Sequence, residues 1–174
     1  MRIELENLED GKGEFSHVYQ PETLDLGDDR ARLIGTATVK GNVRVRGTEA
    51  LVTGHVEASV EVDCDRCLKQ VEMAVSADFA LEFITGNEYA STTVAELTEA
   101  EMSISVFDGE GIDVDETVKE QILLSIPTRT LCQENCKGIC QNCGSDRNAG
   151  DCGCDSNEGD PRWAALGNLM NGKQ

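Results

Sequence analysis

The sequence predicts an α+β fold: an antiparallel β-sheet curled toward an open barrel, one covering helix and a cysteine-rich C-terminal extension. Three observations predict this fold. Apolar and polar side chains alternate through much of residues 31–83, as in half-buried strands. Residues 113–126 carry one apolar stripe at helical spacing. Eight cysteines form two clusters, one in the middle of the chain and one near its end.

The predicted sheet is built from four apolar or alternating segments. These segments are residues 33–39, 43–46, 56–63 and 71–83. Gly41-Asn42 is a turn signal between the first two segments. Cys64 and Cys67 lie between the last two. We therefore expect this cysteine pair at the tip of a β-hairpin, where a tight turn points both sulfurs inward.

One covering helix is predicted to follow an acidic segment. Residues 85–111 are acidic and poor in large apolar groups, which predicts a long loop with a short strand from Met102 to Phe107. Asp113 is the predicted N-cap of the helix, and Glu116 follows three positions later. The apolar stripe consists of Val118, Ile122, Leu123 and Ile126. Pro127 ends the helix, whose stripe we expect to pack on the sheet.

The rest of the chain predicts a cysteine-rich extension with a terminal helix. Asp160 and Pro161 form a helix start. The apolar side of that helix holds Trp163, Leu166, Leu169 and Met170. We expect residues 1–130 to hold the sheet and covering helix and residues 131–174 the extension, the two forming one cooperative unit.

The formal charge of −18 is unevenly distributed. Residues 70–128 carry 1 basic and 13 acidic side chains, whereas residues 31–69 carry 6 basic and 5 acidic ones. Non-specific nucleic-acid binding needs many Lys and Arg side chains, so this balance favours a basic protein as the partner. The N-terminal residues show no signal-peptide pattern and no apolar run reaches membrane-spanning length, so we expect a cytoplasmic protein without a membrane partner.

The eight cysteines predict two structural zinc ions, because tetrahedral zinc takes four thiolates. The ligand set is Cys64, Cys67, Cys132, Cys136, Cys140, Cys143, Cys152 and Cys154. A reducing cytosol disfavours a framework of four disulfides. Redox or iron–sulfur chemistry is a weaker alternative, because the flanks of the Cys64–Cys67 pair predict strands instead of the βαβ setting of thiol oxidoreductases.

Two partitions of the cysteines fit the spacing. The favoured one joins Cys64 and Cys67 to Cys132 and Cys136, and joins the four cysteines of residues 140–154 into a second site that closes on itself. The competing one groups the first four C-terminal cysteines and leaves the other four for the second site.

The sequence gives no sign of an enzyme. Its two histidines, His17 and His55, are not beside a nucleophile motif, and the chain has no phosphate loop or dinucleotide fingerprint. Sites with four cysteine ligands are closed and structural, whereas catalytic zinc keeps an open position.

Several motifs together resemble the YceD family. They are Cys-Asp-Arg-Cys-Leu at 64–68, Gly-Ile-Asp at 111–113, the run Leu131 to Gly144 with its cysteines, Cys-Gly-Cys at 152–154 and Asp-Pro-Arg-Trp at 160–163. Members are described as large ribosomal RNA subunit accumulation proteins. The resemblance implies a bacterial factor for large-subunit biogenesis that is needed for normal 23S rRNA accumulation, and it implies no mechanism.

Two binding hypotheses follow for such a factor. In the first, the acidic surface binds a basic ribosomal protein or a large-subunit precursor particle. In the second, a local basic patch contacts precursor 23S rRNA directly. That patch consists of Lys40, Arg44, Arg46, Arg66 and Lys69. A thiol redox switch is a third and weaker hypothesis.

Overall fold

The computed structural model describes residues 1–86 and 104–154. The chain divides into two compact units. The first comprises Met1–Val62 and Val71–Thr130, and the second comprises Asp63–Gln70 with the chain from Leu131 onward. The predicted helix that starts at Asp160 and the first part of the predicted Met102–Phe107 strand lie outside the described residues.

The described residues form an α+β fold of strands with one α-helix. The strands are β1 (Arg2–Glu4), β2 (Lys12–Tyr19), β3 (Ala31–Leu33), β4 (Ala37–Arg46), β5 (Glu49–Asp63), β6 (Gln70–Thr85), β7 (Ile104–Phe107) and β8 (Gly111–Asp113). A single 3₁₀ turn covers Leu5–Asn7, and the helix α1 covers Asp115–Ser125. None of the described helices has the length and apolar character needed to span a membrane.

The main sheet is mixed and open. Its strand order is β2-β4-β5-β6-β7, with β3 paired to β5. The β2–β4, β4–β5 and β3–β5 pairs are antiparallel, but β7 runs parallel to β6. The prediction of a wholly antiparallel sheet is therefore wrong at the β6–β7 pair. Parallel neighbours need a long crossover connection, and the chain between β6 and β7 is long enough to provide one. The predicted curl toward an open barrel is not confirmed, since the described sheet is not closed into a barrel.

The helix covers the core of the first unit, as its apolar stripe predicts. Val118 and Ile122 are fully buried, and Leu123 and Ile126 pack against the same core. The helix starts one residue later than predicted, with Val114 as its N-cap, because Asp113 belongs to β8 and pairs with Arg2 of β1. Its carboxylate still accepts a hydrogen bond from the Asp115 N–H at 2.9 Å, which satisfies one donor of the first turn.

Gly41 does not make the predicted turn but lies inside the continuous strand β4. It pairs with Gly54 of β5, and both glycines lie on the face of the sheet that carries the buried valines of these strands. A β-carbon on Gly41 would lie 2.5 Å from the Phe15 ring, and one on Gly54 would lie 2.5 Å from the Phe79 ring. These glycines therefore make room for two aromatic rings, and the chain turns instead at Gly47, where φ is +62°.

Gly54→Ala is expected to lower the free energy of unfolding by about 1–3 kcal/mol, because the new methyl group overlaps the Phe79 ring. The matched control is Gly86→Ala, whose β-carbon would approach Val106 no closer than 3.7 Å. Urea unfolding of both variants measures the difference. Equal midpoints for the two variants would show that the ring moves aside without cost.

Candidate metal centres

The eight cysteines meet in two groups of four, both within the second unit. One group is Cys64, Cys67, Cys132 and Cys136; the other is Cys140, Cys143, Cys152 and Cys154. Within each group all four sulfurs lie within 4.8 Å of one another. The structure thus brings together the cysteines of the favoured partition.

Each group contains a tight turn with the same hydrogen bonds. In the first turn, the Cys64 N–H donates to the Lys69 carbonyl at 2.8 Å and the Leu68 N–H donates to the Cys64 carbonyl at 3.0 Å. In the second turn, Cys140 bonds to Ser145 and Gly144 bonds to Cys140, both at 2.8 Å. The residue after each Cys-x-x-Cys has a positive φ, which Gly144 adopts freely and Leu68 adopts at a conformational cost.

The first group is compact and mostly buried. The Sγ atoms of Cys64 and Cys136 are 3.9 Å apart, and those of Cys67 and Cys132 are 3.5 Å apart. Cys64, Cys67 and Cys136 are buried, and Cys132 is exposed. The Cys132 N–H also points at the Cys64 sulfur at 3.4 Å.

The hydrogen bonds to Cys64 favour its thiolate form. Burial by itself raises the pKa of this thiol, but the backbone N–H groups of Arg66, Cys132 and Cys67 outweigh that effect and lower the pKa to about 6. The thiolate is the form that binds metal. The fold therefore stabilises a ligand in its metal-binding state.

The second group is more open to solvent. Cys143 is exposed, and Cys152 and Cys154 are partly buried. The Ser145 hydroxyl lies 3.1 Å from the Cys143 sulfur, and hydrogen bonds from Ser145 lower the pKa of Cys143 to about 6. Cys143 is thus favoured as thiolate, although it is less shielded from solvent than Cys64.

Both groups fit a tetrahedral metal ion. Sulfurs about 2.3 Å from a central zinc form a tetrahedron with edges of about 3.8 Å. The sulfur pairs at 3.5 Å and 3.9 Å in the first group bracket that edge. Each group could therefore hold one metal ion with four thiolates.

Asn148 and Asp146 contact the first group from a loop that the sequence analysis did not single out. The Asn148 amide donates to the Cys136 sulfur at 3.4 Å, and Asp146 forms an ion pair with Lys69 at 2.7 Å. Metal ligands need such outer partners. In the sequence, these two residues are marked only as polar residues in the loop between Cys143 and Cys152, which does not distinguish them from their polar neighbours.

The predicted basic patch is divided between the two units. Arg66 and Lys69 belong to the second unit, where Arg66 donates to the Cys136 carbonyl at 2.6 Å and Lys69 pairs with Asp146. Lys40, Arg44 and Arg46 lie on β4 of the first unit, on its exposed face. Two of the five predicted residues therefore bond to the chain around the first cysteine group.

A basic stripe nevertheless exists on the exposed face of β2 and β4. We use that name for Lys12, Lys40, Arg44 and Arg46, all of which are exposed. Lys12 was not predicted; it lies directly opposite Arg44. Like charges directly opposite each other on paired strands destabilise the pairing, so the Lys12–Arg44 pair has a cost to stability. Among the residues that the structure describes, none of the four cations forms an ion pair.

The neighbouring strands β5 and β6 carry an acidic stripe. It consists of the exposed residues Glu57, Glu72, Asp78 and Glu82. His55 belongs to the same exposed face, since its Nδ1 lies 2.7 Å from Asp78 and its Nε2 lies 3.2 Å from the Ser76 hydroxyl. The outer surface of this sheet thus carries most of its cations on β2 and β4 and most of its carboxylates on β5 and β6, with Glu14 of β2 as an exception.

The hydrogen bond with Asp78 raises the pKa of His55. Asp78→Asn is therefore expected to lower that pKa, whereas Ser76→Ala should leave the carboxylate effect in place. Because the folded pKa is the higher one, the stability that this pair contributes is present below the unfolded pKa of about 6.5 and is lost as pH rises through the folded value. Titration of the imidazole by NMR checks the shift, and an unchanged pKa in Asp78→Asn would contradict it.

The chain is similar to known proteins over most of its length. The family model described as large ribosomal RNA subunit accumulation protein YceD matches residues 52–170. A Mycobacterium tuberculosis protein described as uncharacterized is 32% identical over 120 residues, which cover 69% of this chain and 55% of that protein. A similarly described Mycobacterium leprae protein is 29% identical over 152 residues, 86% of this chain and 67% of its own length.

A plant protein with the same description as the family model also matches. Large ribosomal RNA subunit accumulation protein YCED homolog 1, chloroplastic, from Arabidopsis thaliana is 34% identical over 58 residues, 33% of this chain and 18% of that protein. The chain spans about half the length of the M. tuberculosis relative. No solved structure matches. The family match covers both cysteine groups, so the resemblance read from the motifs is confirmed and the chain belongs to the YceD family.

Proposed function

We propose that this protein is a zinc-stabilised binding factor required for the accumulation of large-subunit ribosomal RNA, acting in the cytoplasm. One observation carries the proposal: the match to the family of that description begins at residue 52 and takes in both cysteine groups and the acidic stripe. The description of the Arabidopsis relative supports the same process.

Zinc is the proposed metal at both groups. Four cysteine thiolates in a tetrahedral arrangement select zinc or an iron–sulfur cluster among common biological metals. The sulfur separations in the first group suit a single ion at the centre. When bound, each zinc would crosslink chain segments and neutralise part of the thiolate charge, which stabilises the second unit.

The proposed role is binding and not catalysis. A site with four cysteine ligands has no open coordination position for a substrate or an activated water. Closed sites of this kind are structural, so we assign to the zinc ions the role of holding the folded chain in place.

The proposed partner is a basic ribosomal protein, or a large-subunit precursor particle that carries one. The exposed carboxylates of Glu57, Glu72, Asp78 and Glu82 supply charge of the right sign for such a partner. This acidic stripe lies within the part of the chain that matches the family model.

Direct contact with 23S rRNA is a second candidate, and the basic stripe favours it. Its four cations are exposed on one face of β2 and β4, where phosphates would be able to reach them. These residues precede the matched part of the chain, so we rank this contact second.

Sucrose-gradient sedimentation tests the binding role. A tagged copy of the protein is expected to sediment with precursors of the large subunit, and the recovered particles should contain precursor 23S rRNA. Precursors of the small subunit serve as the internal control. Protein that remains at the top of the gradient in growing cells would overturn the proposal.

A further inference from the structure

The loop between Cys143 and Cys152 belongs in sequence to the second cysteine group but bonds to the first. Its Asn148 amide donates to the Cys136 sulfur at 3.4 Å. The Asn148 carbonyl oxygen accepts from the Lys137 N–H at 2.8 Å. One side chain therefore holds both a ligand sulfur and the backbone that follows it.

Asp146 fixes Asn148 in this position. One carboxylate oxygen accepts from the backbone N–H and from the side-chain amide of Asn148, both at 2.8 Å. The other pairs with Lys69 at 2.7 Å, next to the first cysteine turn. The Arg147 N–H donates to the Gly138 carbonyl at 2.9 Å, which adds a backbone bond between the loop and the first group.

The ends of this loop are held by the second cysteine group. Residues 144–151 contain one alanine and no larger apolar side chain, so hydrophobic burial contributes little to ordering them. A metal ion bound by Cys140, Cys143, Cys152 and Cys154 would close the loop and keep Asn148 in reach of Cys136.

We propose that the two metal sites are coupled, with Asn148 as the positioning residue through which metal at the second site tightens metal binding at the first. The inference rests on the proposed occupancy of both sites. Coupling of this kind is reciprocal, so metal at the first site also tightens binding at the second. The buried first site is thereby protected by the exposed one.

The variants separate coupling from simple loss of structure. Asn148→Ala removes the amide and is expected to lower the zinc affinity of the first site by about 10- to 100-fold, as outer partners of metal ligands do. Asn135→Ala is the matched control: it makes the same chemical change beside the same cysteine, but Asn135 is exposed and forms no hydrogen bond with the described residues. The double variant Cys152→Ser/Cys154→Ser empties the second site.

Each site is read separately in the full-length zinc-loaded protein. The protein is equilibrated with a series of chelator concentrations and then alkylated, and peptide mapping reports which cysteines have lost their metal. Protection of Cys64, Cys67, Cys132 and Cys136 measures the first site.

Coupling predicts that Asn148→Ala and the double variant each shift loss of the first ion to lower chelator concentration, and that the combined variant shifts it no further. The control should match the wild type. First-site protection that is unchanged in Asn148→Ala, or losses that multiply in the combined variant, would overturn the inference while leaving the zinc sites intact. A wild-type protein without two zinc ions would instead overturn the proposed function on which it rests.

Discussion

Replacing Cys140 by serine is expected to lower the bound zinc from two ions to one per chain. The four sulfurs of the second group lie within 4.8 Å of one another and share no cysteine with the first. Losing one thiolate removes a quarter of the ligand set of a closed site, and structural zinc contributes about 10–16 kcal/mol of apparent binding free energy in small zinc domains. The second site should therefore empty, while the first stays filled when no chelator competes.

Native mass spectrometry counts the ions, and alkylation identifies the cysteines released. We expect Cys143, Cys152 and Cys154 to become reactive and the first group to stay protected. Ser145→Ala is the control, because it keeps every sulfur and removes only the hydroxyl beside Cys143. Loss of both ions from Cys140→Ser, without chelator, would count against two separate sites. Release of Cys132, Cys136 and Cys143 with one ion retained would instead support the competing partition.

Charge reversal on the acidic stripe is expected to have the second large effect. Glu72→Lys/Glu82→Lys places two new cations where the proposed basic partner binds, and like charges across an interface cost several kcal/mol, so co-sedimentation with large-subunit precursors should fall by about 10-fold or more. Both residues are exposed, so the fold should tolerate the change.

The matched variant is Arg44→Glu/Arg46→Glu, which reverses two exposed cations of the basic stripe. The favoured model predicts co-sedimentation close to that of the wild type. If this variant loses association and the acidic-stripe variant keeps it, the partner is RNA and the basic stripe is its contact. Repeating both measurements at raised salt separates electrostatic attraction from other contacts.

The sequence predicts the cysteine groups well because ligand chemistry constrains spacing strongly. Cys64 and Cys67 between two alternating segments indicate a hairpin tip, and the structure places the same pair between β5 and β6. The helix is equally predictable, since Val118 and Ile122 fall on one face and both are buried. In each case, local spacing carries the information.

Features that depend on distant partners were missed. Gly41 was read as a turn because its role, making room for Phe15 from another strand, is visible only once the strands pair. The short strand β1 was not predicted, since its pairing with β8 joins residues more than a hundred positions apart. Asn148 was not predicted for the same reason, because its role depends on a hydrogen bond to Cys136, twelve residues earlier in the chain.

The predicted basic patch takes residues from both units. Arg66 was grouped with Arg44 because both lie in a near-neutral segment of an acidic chain. In the structure, Arg66 bonds to the Cys136 carbonyl within the second unit, whereas Arg44 lies on the exposed face of β4 opposite Lys12. Charge counts along a chain describe composition, whereas the bonding partner of each charged residue is visible only in the structure.

The ratio of 23S to 16S rRNA tests the central claim most directly. It is measured in cells depleted of this protein, and again after expression of the wild type or of Cys64→Ser/Cys67→Ser, which disables the first site. The account predicts a selective fall in 23S rRNA that the wild type restores and the double variant does not. An unchanged ratio on depletion would contradict a role in large-subunit rRNA accumulation. Full rescue by the double variant would contradict the need for metal at the first cysteine group.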